Sequence, residues 1–406
     1  MIDFELSDKH RQMRDMIHMF AKTVIRPMSL EADRTHRIPD DFLVRLAQMR
    51  GSFQSGEVPR EYGGEAGGVG DKQDVRGHTQ KNRVALIAAE EMAWGDISFV
   101  LSLPGPGLGG PPVQFTGTPA QQERFFKIFS QPGLHFGAYG LTEPSAGSDV
   151  AGIRTSCRKD GDHWVLNGRK CYITNGGRAD WVVIFATTDL ALGRAGHRAF
   201  VVEKGTPGFQ LGKIEDKMGI RASETAELVL EDCRVPDENL LGGEAHYARG
   251  KEGFMTAMKT FDSSRPMVAI LAVGIARAAY EYARDFVKEN YMLGRALPRY
   301  QAIANRIADS KRQLEAARLL CWRAAWMADL GLPNAKEASM CKAYAAQVAM
   351  RICHDSVEIL GAHGLSNHHF VEKWYRDIKV FDIFEGTGQV QRIVISKRIL
   401  RDTPHF

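Results

Sequence analysis

The sequence predicts an α+β chain in three parts: a helical domain, a small antiparallel barrel or sandwich, and a helical bundle. Three observations lead there. Hydrophobic periodicity is helical up to about residue 133 and again from about 249. Between them it gives way to brief apolar runs separated by Gly, Asp and Pro, with no helices intervening, which argues against a βαβ fold. The later helical runs are long and joined by short connections, the pattern of a bundle. The expected domains are 1–133, 134–248 and 249–406.

In the first domain Ser7 is placed to cap a helix whose apolar positions Met13, Met16, Ile17, Phe20 and Val24 follow the i, i+3, i+4, i+7 rule, and Pro27 interrupts it. Residues 63–73, GGEAGGVGDKQ, read as a flexible loop. In the middle domain His163 to Thr174 reads as two strands about a two-residue hairpin signal, Asn167-Gly168. Residues 182–185, 200–202 and 228–230 are further strands. In the last domain Ile303, Ile307, Leu314 and Leu319 mark a helix that stops at Gly331 and Pro333, and 338–360 is another.

Composition excludes several classes. The 406 residues are 44% hydrophobic and 25% charged, with a net charge of only +4 and no Lys/Arg run, so no nucleic-acid partner is expected. The cysteines at 157, 171, 233, 321, 341 and 353 contain no C-x-x-C pair and read as reduced, buried thiols. The first ten residues carry acids and no apolar core of a signal peptide, and no apolar run approaches the roughly 20 residues of a membrane span. A cytoplasmic location with no membrane contact is the expectation.

Two motif matches lead nowhere. Gly105, Gly107 and Gly110 satisfy G-x-G-x-x-G, but Pro104, Pro111 and Pro112 crowd them and the surroundings are helical, so a plain loop is the better reading. His354, His363, His368 and His369 have no carboxylate or cysteine at ligand spacing and read as surface or core histidines; no metal is expected.

The longer segments are informative. YGLTEPSAGSD at 139–149, YITNGG at 172–177, DKMGIRAS at 216–223 and FEGTGQVQR at 384–392 resemble, in order and spacing, the flavin and base motifs of the acyl-CoA dehydrogenase family. The resemblance covers nearly the whole chain. It implies that family's fold: a helical domain, an antiparallel β-barrel and a four-helix bundle.

It also implies FAD as cofactor, with Tyr139, Leu141, Thr142, Gly147 and Ser148 lining it; small and hydroxyl residues let backbone N–H groups come close to a flavin. Ser148 would meet the substrate as well. Tyr172, where many relatives carry Trp, would shield one ring face, beside Ile173, and Thr174 would place its hydroxyl near N5. Glu385 would be the base. An α-proton next to a thioester is weakly acidic, so its removal needs a close carboxylate and an acceptor for the β-hydride. Gly386 and Thr387 leave room for the acyl group, and Gln389 follows in the same motif. Some branches carry the base on a bundle helix just before an arginine; here that stretch is FDSSR at 261–265, and Ser264 cannot serve. Asp262 and Arg265 match residues lining the substrate site.

The resemblance breaks where family members lend residues to a neighbour's flavin. The Arg and Phe expected there are missing from NYMLG at 290–294, although Gln301 is kept. A second lent segment reads EILGA at 358–362, with Glu358 in place of Gln and Gly361 retained. That erosion points either to a homo-oligomer using another cation, such as Arg295 or Arg299, or to a heterotetramer with a second subunit of the same fold. The implied activity is α,β-dehydrogenation of an acyl-CoA, with electrons passing to an electron-transfer flavoprotein. The alternatives are an oxygen-using acyl-CoA oxidase or flavin oxygenase and a structural subunit without turnover. Retention of Glu385 disfavours the oxygenase, and retention of both Glu385 and the flavin loop disfavours the structural subunit.

Overall fold

In a computed structural model of the chain, residues 4–55, 80–248 and 250–400 are described, the side chains of 49–55, 257 and 259–263 excepted. The loop expected at 63–73 lies outside the described residues. Ser7 starts helix α1 (Asp8–Phe20), its hydroxyl accepting from the N–H of His10 at 3.3 Å, and Met13, Ile17 and Phe20 form the buried stripe. Pro27 does not end the helical path. Residues Ala21–Ile25 widen into a π-helical turn, and α2 (Arg26–Thr35) continues with Pro27 in its first turn, where its lack of an N–H is harmless. Helices α3 (Asp40–Ser55), α4 (Lys81–Gly95), α5 (Ile97–Leu101), α6 (Gly110–Thr116) and α7 (Pro119–Lys127) follow.

The middle of the chain is a curled seven-stranded sheet: β1 (Gly137–Gly140), β2 (Ser156–Asp160), β3 (His163–Thr174), β4 (Trp181–Thr187), β5 (His197–Glu203), β6 (Phe209–Ile214) and β7 (Thr225–Pro236). The order is β1-β4-β2-β3-β7-β6, with β5 on the other edge of β4. Most pairs are antiparallel as expected, but β1 and, at one residue pair, β2 run parallel to β4. The hairpin expected at Asn167-Gly168 is absent, because β3 passes straight through it as one strand with a bulge against β7. Asn167 is occupied across that pairing, donating to Asp232 Oδ1 at 3.1 Å and accepting from the Asp232 N–H at 2.8 Å. Gly168 has φ 155° and lies so close to Thr155 that a Cβ would stand 2.5 Å from its Oγ1. The real reversal is the β2–β3 turn at Gly161.

After β7 come α8 (Glu252–Glu289), the short strands β8 (Tyr291–Met292) and β9 (Arg295–Ala296), then α9 (Gln301–Asp329), α10 (Ala335–Leu360), α11 (Phe370–Ile378) and α12 (Gly388–Ile399). Helices α8, α9, α10 and α12 pack as the bundle, with α4 laid against α8. Alanines dominate the contact faces, including Ala272, Ala276, Ala317 and Ala345, so the axes approach closely. Helix α11 ties the three parts together. Its buried Lys373 sits 2.8 Å from Asp96 and 2.6 Å from Asp377, and Asp377 accepts the Ile220 N–H at 2.6 Å. Arg376 reaches Asp33 at 2.7 Å and the Met218 carbonyl at 3.0 Å. No described helix is long and apolar enough to cross a membrane.

Candidate active site

A cleft of about 2600 Å³ opens where the three parts meet. One wall is the loop after β1. Within it Glu143, 4% exposed, accepts from Lys170 Nζ at 2.7 Å and from the N–H groups of Arg154 and Thr155 at 2.6 and 3.0 Å. Lys170 also donates to the Leu141 carbonyl at 3.2 Å, so the loop is pinned from below. Burial pushes the Lys170 ammonium down to about 8 against the attraction of Glu143. Burial would raise Glu143, but Lys170 and the backbone N–H groups hold it below the ordinary carboxylate range. Glu143 is therefore spent on structure. Tyr139, Leu141, Thr142, Gly147 and Ser148 all line the cleft above this anchor.

The second wall comes from the end of β3. Its pairing with β7 shifts register between Lys170 and Ile173, and Tyr172 sits in that irregularity with φ 58° and 65% of its surface exposed. Tyr172 lines the cleft, with Thr174 two residues on along the same wall. Ile173 is buried in the sheet core and holds the strand in place.

The third wall carries Glu385, on the turn before α12. Glu385 and Gly386 both have left-handed backbones, φ 51° and 91°. The left-handed backbone at Gly386 favours glycine, and a Cβ there would stand 2.5 Å from Gln391 Nε2, so that side chain would have to shift. Gln391 donates to the carbonyls of Glu385 and Gly386 at 3.2 and 3.0 Å, and Lys342 donates to the Gly386 carbonyl at 2.6 Å. Thr387 caps α12, accepting the Val390 N–H at 3.2 Å. With its backbone fixed in this way, the Glu385 carboxylate accepts a 2.5 Å hydrogen bond from Ser264 Oγ on α8. Burial raises its pKa above the ordinary carboxylate range, opposed by that hydrogen bond and by the charges of Lys342 and Arg265. Tyr139 is raised as well, by burial and then by the nearby Glu385 charge.

Not every candidate converges. Arg265 lines the cleft, whereas the Asp262 side chain lies outside the described residues. Gln301, at the start of α9, does not border the cleft, nor do Glu358, Gly361 and Gln389. Glu358 pairs with Arg306 and lies 3.3 Å from His354; Gly361 ends α10. The 290–294 stretch forms a hairpin whose Tyr291, Met292 and Leu293 are exposed, and the Arg295 guanidinium stands 5.2 Å over the Tyr300 ring. The glycine loop at 105–110 enters a short helix, not a βαβ unit. Lys342 lies outside every motif, and Gln391, inside the 384–392 motif, was not singled out there for a role. A lysine on the apolar stripe Ala338–Lys342–Ala345–Ala349 of α10 was the available signal.

These residues fit a flavin nucleotide. An exposed aromatic ring and a loop of small and hydroxyl residues face one cleft. Its wall also contains Ser223 Oγ, a buried polar atom with no hydrogen-bond partner among the described residues.

Comparison with known proteins gives the same family along the whole chain. Residues 7–129, 138–233 and 251–400 match the family models for the N-terminal, middle and C-terminal domains of acyl-CoA dehydrogenase. The short-chain specific acyl-CoA dehydrogenase of Clostridium acetobutylicum is 39% identical over 98% of this chain and 100% of its own length. Butyryl-CoA dehydrogenase from Megasphaera elsdenii superposes with a TM-score of 0.86 at 37% identity, over 98% of this chain and 100% of that one. A chain in the structure reported for the electron transferring flavoprotein of Acidaminococcus fermentans superposes with a TM-score of 0.86 at 38% identity, covering 99% of this chain and 100% of that one.

Proposed function

The chain belongs to the acyl-CoA dehydrogenase family, an FAD-dependent enzyme family, and on that premise we propose that it oxidises an acyl-CoA to the 2-enoyl-CoA with Glu385 as the base. The observation that carries the reading is the Glu385 carboxylate held by Ser264 in the same cleft as the flavin loop. FAD, when bound, supplies the acceptor for the β-hydride. Tyr139 through Ser148 and the Tyr172–Thr174 segment would hold it. Glu385 takes the α-proton onto its carboxylate, and the apolar walls exclude the water that would otherwise compete for that proton. Ser148, Arg265 and Gly386 would meet the thioester. The proposed division into 1–133, 134–248 and 249–406 is supported by the change from helices to strands and back to helices along the chain.

Electrons are proposed to leave to an electron-transfer flavoprotein. The likeness to a chain in the Acidaminococcus fermentans structure supports this partner. Gln301, Glu358 and Gly361 lie away from this chain's own cleft, which supports their being lent to a neighbouring subunit, either another copy or a second chain of the same fold. The test is to express the chain alone and together with such a second chain, and to add butyryl-CoA anaerobically. We expect the bound flavin to bleach, with about one FAD per chain if the oligomer is a homomer and fewer FAD than chains if it is a heteromer. A fully flavin-loaded protein that no short, branched or aromatic acyl-CoA bleaches overturns the reading.

Thr174→Val removes one hydroxyl at nearly constant volume. Rapid mixing is expected to show flavin reduction slowed by roughly tenfold, the scale of one hydrogen bond, with substrate affinity unchanged. Identical reduction rates would leave Thr174 as a strand residue only.

A further inference from the structure

We propose that Lys342 is a positioning residue for the base: from α10 it clamps the Gly386 carbonyl, fixing the backbone that directs Glu385 to Ser264, and its charge favours the ionised carboxylate. The proposal rests on Glu385 being the base.

Three lysines are fully buried among the described residues. Two are paired with carboxylates, Lys170 with Glu143 at 2.7 Å and Lys373 with Asp96 and Asp377 at 2.8 and 2.6 Å. Lys342, 1% exposed, has no described carboxylate within ion-pair distance, and its hydrogen bond goes to a backbone carbonyl. An ammonium buried that way is costly and would serve poorly as a structural device alone. The carbonyl it holds also accepts from Gln391, so the turn has a second anchor and a neutral donor at 342 could replace the lysine's hydrogen bond but not its charge. What lysine adds is charge. The acidic groups it acts on are Asp382 and Glu385, and burial lowers Lys342 itself to about 8. Facing Glu385 are Ser264 and Arg265 from α8, Tyr139 from β1 and Lys342 from α10. Burial drives the carboxylate towards its neutral form, and an adjacent cation opposes this.

The test compares Lys342→Met, which removes charge and donor, with Lys342→Gln, which keeps a donor. Each is purified with flavin and checked for fold. Isotope-labelled glutamate carboxyl resonances, with Glu385 assigned through Glu385→Gln, read the Glu385 titration directly. The expected result is a midpoint raised by about one pH unit or more in both variants, with flavin reduction slowed about tenfold below that midpoint. Lys342→Gln should retain more of the high-pH rate than Lys342→Met. Wild-type protein offers a test free of any folding defect, since the Glu385 resonance should show a second inflection near the Lys342 titration. Unshifted midpoints in folded variants, or a wild-type resonance with a single inflection, overturn the proposal. If Glu385→Gln itself keeps full turnover, the base assignment fails, a result distinct from unchanged Lys342 variants beside an inactive Glu385→Gln.

Discussion

Glu385→Gln is expected to leave a folded, flavin-loaded protein whose turnover falls by roughly 10²–10⁴-fold, the usual weight of a positioned general base. The substitution changes little in shape. Ser264 still has an oxygen to donate to, and the backbone contacts from Lys342 and Gln391 are untouched, because they reach the 385 and 386 carbonyls and not the side chain. What disappears is a group able to take a proton. The pH dependence has a definite sign. Burial raises the Glu385 pKa, so activity should fall on the acid side at a pH above the ordinary carboxylate range. A raised folded-state pKa also means that ionising Glu385 lowers stability as pH rises through it. The amide variant escapes that cost and should be at least as stable as wild type near neutral pH. Stopped-flow flavin reduction and thermal unfolding across pH measure both effects. A variant that keeps more than about a third of the wild-type rate would place the base elsewhere. Glu143 would then be a poor substitute, since three hydrogen bonds already occupy it.

Much of the cleft's lining was legible in the sequence, because its parts lie in contiguous motifs. The 139–149 and 384–392 segments carry their own geometry: small residues for close approach, a glycine beside Glu385 and a threonine cap for the next helix. The long helices were legible for a related reason, since periodicity over 26 residues in α10 averages out local exceptions. Asn167-Gly168 failed because a two-residue signal describes only local preference. Its outcome was set by Asp232 on β7, 65 residues away. Pro27 failed for the opposite reason: the preceding turn absorbed the proline by widening. Lys342 was invisible for want of a motif, as its partner is a carbonyl 44 residues further along the chain. The left-handed backbones of Tyr172 and Glu385 were hidden too, since nothing in either side chain demands them.

Lys170→Met should cost about 3–5 kcal/mol of stability, the range for breaking a buried ion pair from one side, and should release FAD. Methionine fills much of the same volume, so the loss is mainly electrostatic. It leaves Glu143 at 4% exposure with two backbone N–H groups and no cation, and it frees the Leu141 carbonyl. Against a total stability of about 5–15 kcal/mol, such a change is large, and it falls beneath the loop that carries Thr142, Gly147 and Ser148. The flavin site should therefore fail before the fold does, with flavin content dropping at temperatures where the bundle is still intact. In wild type the Glu143 pKa is depressed, so the pair's contribution is present above the ordinary carboxylate pKa and is lost as pH falls through the folded value. The gap between Lys170→Met and wild type should accordingly be widest near neutral pH and narrow in acid. Adding Glu143→Gln to the variant removes the stranded charge and should recover part of the unfolding midpoint, which separates desolvated charge from lost packing. A Lys170→Met protein with wild-type flavin content and midpoint would mean that the loop is held by its turn geometry, and that the buried pair is incidental to FAD binding.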